Sequence, residues 1–261
     1  MSKGGAGFCA LVNGVRAAGH GARGVRDMWS RCAMCTQSVS AEKAKKSSAR
    51  CRVLTRSAKF WHVFAAEAVR PGDAVLDATV GNGHDTLHLA RMVGPEGTVY
   101  GLDIQDSALT RTRERLDEAF PPNELLTDSS NSLRPRIVLE KRSHETFPES
   151  IRDGDLALVV YNLGFLPGTD PLGEQRRVTT RADTTVQSLH MSLQKLRVGG
   201  LIVVTCYIGH EHGLEEQKAV LDWATNLTTA STVHMKWLNR DQAPSVVLIE
   251  KTAQTASGND A

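Results

Sequence analysis

The sequence predicts an α/β fold in which a mostly parallel sheet is covered by helices on both faces. Five apolar, β-prone segments alternate with helix-like segments along residues 53–227. This alternation is typical of a doubly wound sheet. The last two β-prone segments, 231–237 and 245–251, have no helix between them. The chain should therefore end in an antiparallel pair of strands.

The first half of the chain gives two helix–strand units. Large apolar residues recur near helical spacing over 53–69, which indicates an amphipathic helix ended by a Pro-Gly pair. The apolar run 74–76 forms the first strand, and a helix over 86–92 follows it. A second strand over 98–103 leads into a helix over 105–120, which a Pro-Pro pair ends.

The second half continues the alternation. A strand over 136–141 has Ile-Val-Leu at its centre, and the continuously apolar run 156–161 suits a central strand covered on both faces. A helix over 184–196 should be capped near Gly199 and Gly200. The remaining elements are a strand over 201–207 and a helix over 213–227.

Composition separates a basic leader from one catalytic domain. The chain has 261 residues, 41% of them hydrophobic, and a net charge of +2, which suits one sizeable core. Residues 1–50 hold nine Lys and Arg against Asp27 and Glu42. An Arg- and Ser-rich, acid-poor leader is typical of an organelle transit peptide; the alternative is a basic tail that holds RNA. We predict a leader over 1–52, a catalytic domain over 53–252 and a tail over 253–261.

Neither a membrane span nor a metal or disulfide framework is expected. No apolar run has the length of a membrane-spanning helix. The pair Cys32 and Cys35 has no second pair at a fitting distance, so it is better explained by chance than by metal binding. The sequence leaves the oligomeric state open, a homodimer included.

The segment Asp77-Ala-Thr-Val-Gly-Asn-Gly-His-Asp85 indicates a cofactor site. Gly81 and Gly83 allow a sharp turn between strand and helix. A dinucleotide site would have a third glycine, and Asp77 and Asp85 would repel a pyrophosphate. S-adenosylmethionine carries a sulfonium and an ammonium, so carboxylates suit it. Asp103, at the end of the second strand, can bind both hydroxyls of a ribose. A purely connecting turn is the alternative.

Other polar residues should meet at the same edge of the sheet, since ligands bind beyond the carboxyl ends of parallel strands. The predicted cofactor contacts there are Asp77, Thr79, Gly81, Asn82, Gly83, Asp85, Asp103, Gln105, Ser143 and His144.

Asn162, after the fourth strand, marks the predicted acceptor site. Enzymes that methylate nitrogen commonly place Asn or Asp there, and its carbonyl can accept a hydrogen bond from the target N–H. His62 or His210 could take a proton from a substrate ammonium, although a structural role is the alternative for either. Tyr207 lies on the same predicted edge.

The loop after Asn162 is the predicted substrate contact. Apolar residues that follow such an Asn can stack on a base, and basic residues can bind RNA phosphates; solvated charges are the alternative. The substrate contacts predicted in this way are Gly164, Phe165, Arg176, Arg177 and Arg181.

These motifs together resemble the YtqB family, also called MnmM and long labelled as an rRNA methylase. The matching residues are Asp77 to Thr86, Gly101 to Gln105, Ser143-His144, Asn162 to Gly168, Thr179-Thr180 and Tyr207 to His210. The resemblance covers about residues 53–251. It implies a Rossmann-like class I fold with a seven-stranded sheet and a C-terminal antiparallel hairpin. The family's cofactor contacts would fall on Asn82, Gly83, Asp85, Asp103, Gln105, Ser143 and His144, and we also predict Thr86 as a cofactor contact.

The resemblance also implies an activity. The family uses S-adenosylmethionine to convert 5-aminomethyl-2-thiouridine into 5-methylaminomethyl-2-thiouridine at the wobble position of tRNA, so the expected partner is a tRNA anticodon stem-loop. The alternatives are an rRNA or small-molecule methyltransferase of the same fold and a non-catalytic RNA-binding module. A basic leader on such a protein suggests the chloroplast, or else the mitochondrion.

Overall fold

The structure is a computed structural model, and it describes residues 61–121, 134–164 and 179–253. These residues form five helices and seven strands. In chain order they are α1 (Trp61–Ala68), β1 (Ala74–Asp77), α2 (His84–Val93), β2 (Thr98–Asp103), α3 (Asp106–Ala119), β3 (Arg136–Lys141), β4 (Leu156–Leu163), α4 (Ala182–Lys195), β5 (Leu196–Cys206), α5 (Gly213–Thr225), β6 (Ala230–Met235) and β7 (Ser245–Lys251).

The strands form one sheet in the order β3-β2-β1-β4-β5-β7-β6. Strands β3, β2, β1, β4 and β5 run parallel to one another. Strand β7 lies between β5 and β6 and is antiparallel to both. The chain moves outward in one direction from β1 and then returns to add β4 on the other side. The carboxyl ends of β1 and β4 therefore flank the topological switch point, where doubly wound sheets bind ligands. The predicted fold class is confirmed.

Apolar side chains fill both faces of the sheet. Along β4, Val159, Tyr161 and Leu163 pack in one cluster with residues of α4 and α5, whereas Leu158 and Val160 pack in the other with residues of α1, α2 and α3. This alternation follows from the two-residue period of a strand. Because helices cover both faces, polar groups of the central strands reach solvent only at the ends of these strands. The site must therefore lie at the strand ends.

The predicted cap at Gly199 and Gly200 is wrong. Helix α4 ends at Lys195, and β5 begins at the next residue. Leu196 pairs with Leu156 and Leu201 with Leu158, so the four residues 197–200 lie opposite one residue of β4. The bulge carries Arg197 to Asp73, which accepts hydrogen bonds of 2.8 and 3.0 Å from its guanidinium. The glycines therefore serve a bulge inside the strand, and Gly199 has a φ of 73°.

Parts of other predicted segments lie outside the described residues. Among these are 53–60 of the first helix, most of the predicted loop 127–134, the leader and the end of the tail. None of the described helices is both long and apolar enough to cross a membrane.

Candidate active site

The glycine turn between β1 and α2 is tied to β2 and closed by a hydrogen bond of its own. The Val80 amide donates to the carbonyl of Leu102 at 3.1 Å, and the Gly83 amide donates to the carbonyl of Val80 at 2.9 Å. Gly81 and Gly83 have φ values of 55° and 72°, a region that suits glycine. A Cβ at Gly83 would lie 2.5 Å from Thr112 Oγ1. The turn therefore requires glycine for both its backbone conformation and its packing.

Helix α3 supplies two side chains that sequence reasoning missed. Thr112 Oγ1 donates to the carbonyl of Gly81 at 3.3 Å, and Arg115 Nε donates to the carbonyl of Asn82 at 2.8 Å. Thr112 is fully buried between Leu109 and Leu116 on the apolar stripe of α3. A polar residue at a buried position of an apolar stripe could have indicated that Thr112 has a specific contact. These contacts fix the carbonyls of Gly81 and Asn82 and tie the turn to α3.

Asp77 is buried at the end of β1 and organises the start of the turn. Its Oδ2 accepts a hydrogen bond of 2.6 Å from Thr86 Oγ1, and its Oδ1 accepts one of 3.2 Å from the Thr79 amide. Burial, together with the nearby charge of Asp85, raises the pKa of Asp77 to about 7. The structure thus brings together Asp77, Thr79 and Thr86, three of the predicted cofactor contacts. Their contact with a cofactor stays a prediction.

Asp103 connects the end of β2 to the glycine turn. Its Oδ2 accepts a hydrogen bond of 2.9 Å from the Gly81 amide, and its Oδ1 accepts one of 2.9 Å from the Gln105 amide. Burial raises the pKa of Asp103, while the backbone hydrogen bonds act in the opposite direction. Each carboxylate oxygen has a second lone pair, so Asp103 can still accept from the two hydroxyls of a ribose.

Ser143 and His144 follow β3 on the same edge of the sheet. Ser143 Oγ donates to Glu145 Oε2 at 2.8 Å. The His144 ring packs edge-on against Tyr161, with centroids 6.1 Å apart, and burial lowers the pKa of its imidazole. Its Nε2 is buried without a hydrogen-bond partner among the described residues. A neutral imidazole with one unsatisfied nitrogen is suited to a polar ligand atom.

Two of the four predicted catalytic residues contact Asp85, near the start of α2, and a third lies in its electrostatic field. Asn162 Nδ2 donates to Asp85 Oδ2 at 2.8 Å. His62 Nε2 of α1 lies 3.6 Å from Asp85 Oδ1. Burial and the charge of Asp85 raise the pKa of Tyr207, which places Tyr207 within electrostatic reach of the same carboxylate. His62 and Asn162, from two separate elements, therefore meet at one carboxylate, and Tyr207 from a third segment lies in its field.

Asn162 is oriented by its neighbours on both the backbone and the side chain. Its amide N–H donates to Thr79 Oγ1 at 2.7 Å, which ties β4 to the glycine turn. The side-chain nitrogen is committed to Asp85, and no hydrogen bond from the described residues reaches its carbonyl oxygen. This carbonyl is therefore the acceptor left for a substrate N–H.

Aromatic rings fix the position of His62. It stacks on His88 of α2, with centroids 3.8 Å apart and planes 14° apart, and Trp61 packs edge-on against both rings. The ring therefore lies between the core and Asp85. This placement was not visible in the sequence, because it depends on α1 crossing over the start of α2.

His210, the fourth predicted catalytic residue, lies beside Gly164 together with Tyr207. Its Nδ1 is 2.8 Å from the carbonyl of Glu211, and a Cβ on Gly164 would be 3.5 Å from its Nε2. The buried Glu216 of α5 is near enough for the charge of His210 to act on its pKa, which burial raises. His210 thus lies at the end of β4, beside Gly164, and no ion pair joins it to Asp85 among the described residues.

Glu216 was also missed by sequence reasoning. Its carboxylate accepts hydrogen bonds of 2.7 Å from Thr180 Oγ1 and 2.6 Å from Thr185 Oγ1. Thr180 Oγ1 in turn accepts a hydrogen bond of 2.9 Å from the Gly164 amide. Glu216 lies on the buried stripe of α5 with Val220 and Trp223, and a carboxylate on that stripe was the signal. It fixes the backbone just beyond Asn162.

The structure describes only two of the five predicted substrate contacts, Gly164 and Arg181. Phe165, Arg176 and Arg177 lie outside the described residues. Gly164 lies beside Thr180, and the exposed Arg181 pairs with Asp183, 3.1 Å away. In residues 61–121, 134–164 and 179–253, no group of three His, Cys, Asp or Glu is arranged to hold a metal ion.

Comparison with known proteins identifies the family. The family described as "Putative rRNA methylase" matches residues 99–251, and a methyltransferase domain matches residues 70–123. The chain is 34% identical to the chloroplastic tRNA (mnm(5)s(2)U34)-methyltransferase of Arabidopsis thaliana over 197 residues, which cover 73% of this chain and 67% of that protein.

Solved structures agree with this assignment. A Clostridium thermocellum protein of the same description has a TM-score of 0.65 and 32% identity, covering 77% of this chain and all of that one. The Streptococcus mutans protein SMU.1697c, solved in complex with SAH, has a TM-score of 0.61 and 26% identity, covering 76% and 99% of the two chains. The expected resemblance is confirmed, and this chain belongs to the rRNA methylase family of methyltransferases.

Proposed function

We propose that this protein methylates the amine nitrogen of 5-aminomethyl-2-thiouridine at the wobble position of tRNA, with S-adenosylmethionine as the methyl donor. The observation that carries the proposal is the Asn162 amide, held by Asp85 at 2.8 Å at the switch point of the sheet. It leaves one carbonyl oxygen to aim an acceptor N–H beside the glycine turn. The Arabidopsis relative, named for the same modified nucleoside, supports this substrate.

The residues present fit S-adenosylmethionine. Asp103 would hold the ribose, and the unsatisfied Nε2 of His144 offers a contact for a polar atom of the ligand. The charge of Asp85, which already raises the pKa of the buried Asp77, favours a cation at this site. When bound, the cofactor supplies a methyl group on a positively charged sulfur. The Streptococcus mutans relative, solved with SAH, supports this choice.

The chain must also present the acceptor amine in its neutral form. A primary ammonium has no lone pair, so its proton must leave before the nitrogen can attack. His62 can take this proton, because Asp85 lies 3.6 Å from Nε2 and stabilises the imidazolium that forms. Asn162 then holds the neutral amine through its carbonyl, which directs the lone pair away from the protein and toward the methyl group.

The geometry favours His62 over His210 as the proton acceptor. His62 shares a carboxylate with Asn162, whereas His210 contacts the Glu211 carbonyl and the region of Gly164. Tyr207 lies in the field of Asp85, and a raised pKa keeps its phenol neutral. It can therefore contribute as a hydrogen-bond donor near the acceptor amine.

The test is a nucleoside analysis. The full-length protein is incubated with labelled S-adenosylmethionine and tRNA that carries the 5-aminomethyl group, and the digested nucleosides are identified by mass spectrometry. A parallel reaction receives rRNA, since the family description names rRNA. Label in 5-methylaminomethyl-2-thiouridine is expected. Label in rRNA alone would contradict the proposed substrate.

We further propose that residues 1–52 are a transit peptide that directs the methyltransferase domain, residues 53–252, to the chloroplast, and that residues 253–261 are a tail. The basic, acid-poor composition of the leader and the chloroplastic Arabidopsis relative support this. Residues 1–52 fused to a fluorescent protein should accumulate in plastids of plant cells. Accumulation in mitochondria would favour the second location, and a uniform distribution would contradict a targeting role.

A further inference from the structure

The segment between β6 and β7, residues 236–244, lies on the same edge of the sheet as the active site. The first residue of β7, Ser245, pairs with Cys206 at the carboxyl end of β5, and Met235 of β6 pairs with Val246. Asn162 pairs with Thr205, one position before Cys206. The segment 236–244, here called the rim segment, therefore emerges beside the strand end that carries Tyr207.

The base of the rim segment is fixed, and its tip is exposed. Gln217 Nε2 of α5 donates to Ser245 Oγ at 2.7 Å, which anchors the start of β7. Beyond this anchor, Leu238 is 92% exposed, and Lys236 and Arg240 are also exposed. The arrangement displays side chains on a supported loop next to the site.

The chemistry of these side chains is that of a nucleic-acid contact. The Arg240 guanidinium lies over the Trp237 ring, with Cζ 4.5 Å from the ring centroid. Bases of single-stranded RNA stack on aromatic rings and on guanidinium planes. The segment thus combines positive charge with a flat surface, and two basic groups against Asp241 give it a net positive charge.

The two basic groups are available for a partner. Among the described residues, no carboxylate forms an ion pair with Lys236 or Arg240. By contrast, Arg181, which the sequence predicted as an RNA contact, pairs with Asp183. A cation without an ion pair can bind a phosphate without breaking an existing interaction, whereas a paired cation must first give up its ion pair with a carboxylate.

We propose that the rim segment is a contact surface for the substrate RNA. Lys236 and Arg240 bind phosphates, and the Arg240–Trp237 pair supports an unpaired base near the target nucleotide. This inference rests on the proposed function and deepens it, because it names where the RNA lies relative to the cofactor site. Charge complementarity favours RNA over a protein partner.

The test compares charge reversals on opposite edges of the sheet. Lys236→Glu and Arg240→Glu are compared with the control Arg152→Glu. This control makes the same charge change at an exposed residue before β4, at the amino ends of the parallel strands. Full-length variants are titrated against a labelled anticodon stem-loop by fluorescence anisotropy at several salt concentrations. Each rim variant should bind about tenfold more weakly, and its log–log salt slope should fall by about 0.7. Arg152→Glu should match wild type.

A second variant separates stacking from charge. Arg240→Lys keeps the positive charge but loses the planar group. It should retain the salt slope of wild type and still bind more weakly. Affinity equal to wild type would overturn the stacking role of Arg240. Affinity for S-adenosylmethionine should stay unchanged in all variants, since the rim segment lies beyond the predicted cofactor contacts.

The two proposals can fail separately. If wild type methylates tRNA while the rim variants bind RNA as Arg152→Glu does, the rim surface is wrong and the proposed function stands. If wild type binds the stem-loop through the rim segment but transfers no methyl group to tRNA, the proposed function is wrong and the surface stands. Unchanged RNA binding with loss of binding to another protein would identify a protein partner and overturn the inference.

Discussion

The substitution Asn162→Ala tests the acceptor site most directly. It removes the 2.8 Å hydrogen bond to Asp85 and the carbonyl that would hold the amine, while the backbone bond to Thr79 remains. A hydrogen bond to a charged group is worth about 1.5–3 kcal/mol, which corresponds to roughly 10- to 150-fold in rate. A misplaced acceptor costs on the order of 100-fold. We therefore expect kcat to fall by on the order of 100-fold.

The affinity for the cofactor should change much less than kcat, because Asp85 is the one predicted cofactor contact that bonds to the Asn162 side chain, whereas Asp103 bonds to the backbone of Gly81 and Gln105. The assay pairs steady-state methylation of tRNA with calorimetric titration of S-adenosylmethionine. Asn226→Ala is the matched control, since it removes an amide hydrogen bond of 2.7 Å to the Asp222 carbonyl at the end of α5, away from the site. It should leave kcat near wild type.

One result would refute this reasoning. If Asn162→Ala lost cofactor binding but kept its turnover at saturating cofactor, Asn162 would belong to the cofactor site. The acceptor would then have to be sought near Tyr207 and His210. Unchanged kcat and unchanged cofactor affinity would remove Asn162 from the mechanism altogether.

Three further predictions concern the cofactor side. Asp103→Ala should weaken S-adenosylmethionine binding by roughly 10- to 100-fold in calorimetry, because it removes a charged hydrogen-bond acceptor; unchanged affinity would contradict the ribose assignment. Gly83→Ala should destabilise the protein by about 1–3 kcal/mol in urea unfolding, more than Gly94→Ala, because both positions have positive φ but only at Gly83 would a Cβ meet a side chain; equal losses would contradict the packing argument. The folded-state pKa of Asp77, raised from 3.8 to about 7, means that its contribution to stability is fully present below about pH 4 and is lost as pH rises through 7. Asp77→Asn should therefore flatten the fall in stability over this range, and an unchanged pH profile of unfolding would show that Asp77 does not titrate there.

The fold could be predicted because its signals are local. Continuous apolar runs identified the central strands, and the absence of a helix after residue 230 identified the antiparallel end. The Gly199–Gly200 cap failed because glycine marks a helix end and a strand bulge equally well. What decides between them is the distant contact of Arg197 with Asp73, which no local pattern contains.

The sequence could predict which edge of the sheet carries the site, but not which of its side chains contact one another. The rule that ligands bind beyond strand ends selected polar residues that the structure places at the carboxyl ends of the strands, and their contact with a ligand stays a prediction. It could not show that Asp85, expected at the cofactor, would also contact Asn162 and approach His62, because those contacts depend on how α1 and β4 pack against α2. Glu216 and Thr112 were missed because helical periodicity assigns such positions to the core, where a polar side chain is the exception.

The arrangement of carboxylates explains why this turn suits a cation. Asp85 and Asp103 both act electrostatically on Asp77, whose pKa is raised first by burial and then by the charge of Asp85. A pyrophosphate would add negative charge to a place where negative charge is already costly, whereas a sulfonium and an ammonium would offset it. Thr79 bonds to both Asp77 and Asn162, and Asp85 bonds to Asn162. The cofactor side and the acceptor side therefore share one hydrogen-bond network, so the acceptor amide is oriented before any substrate arrives.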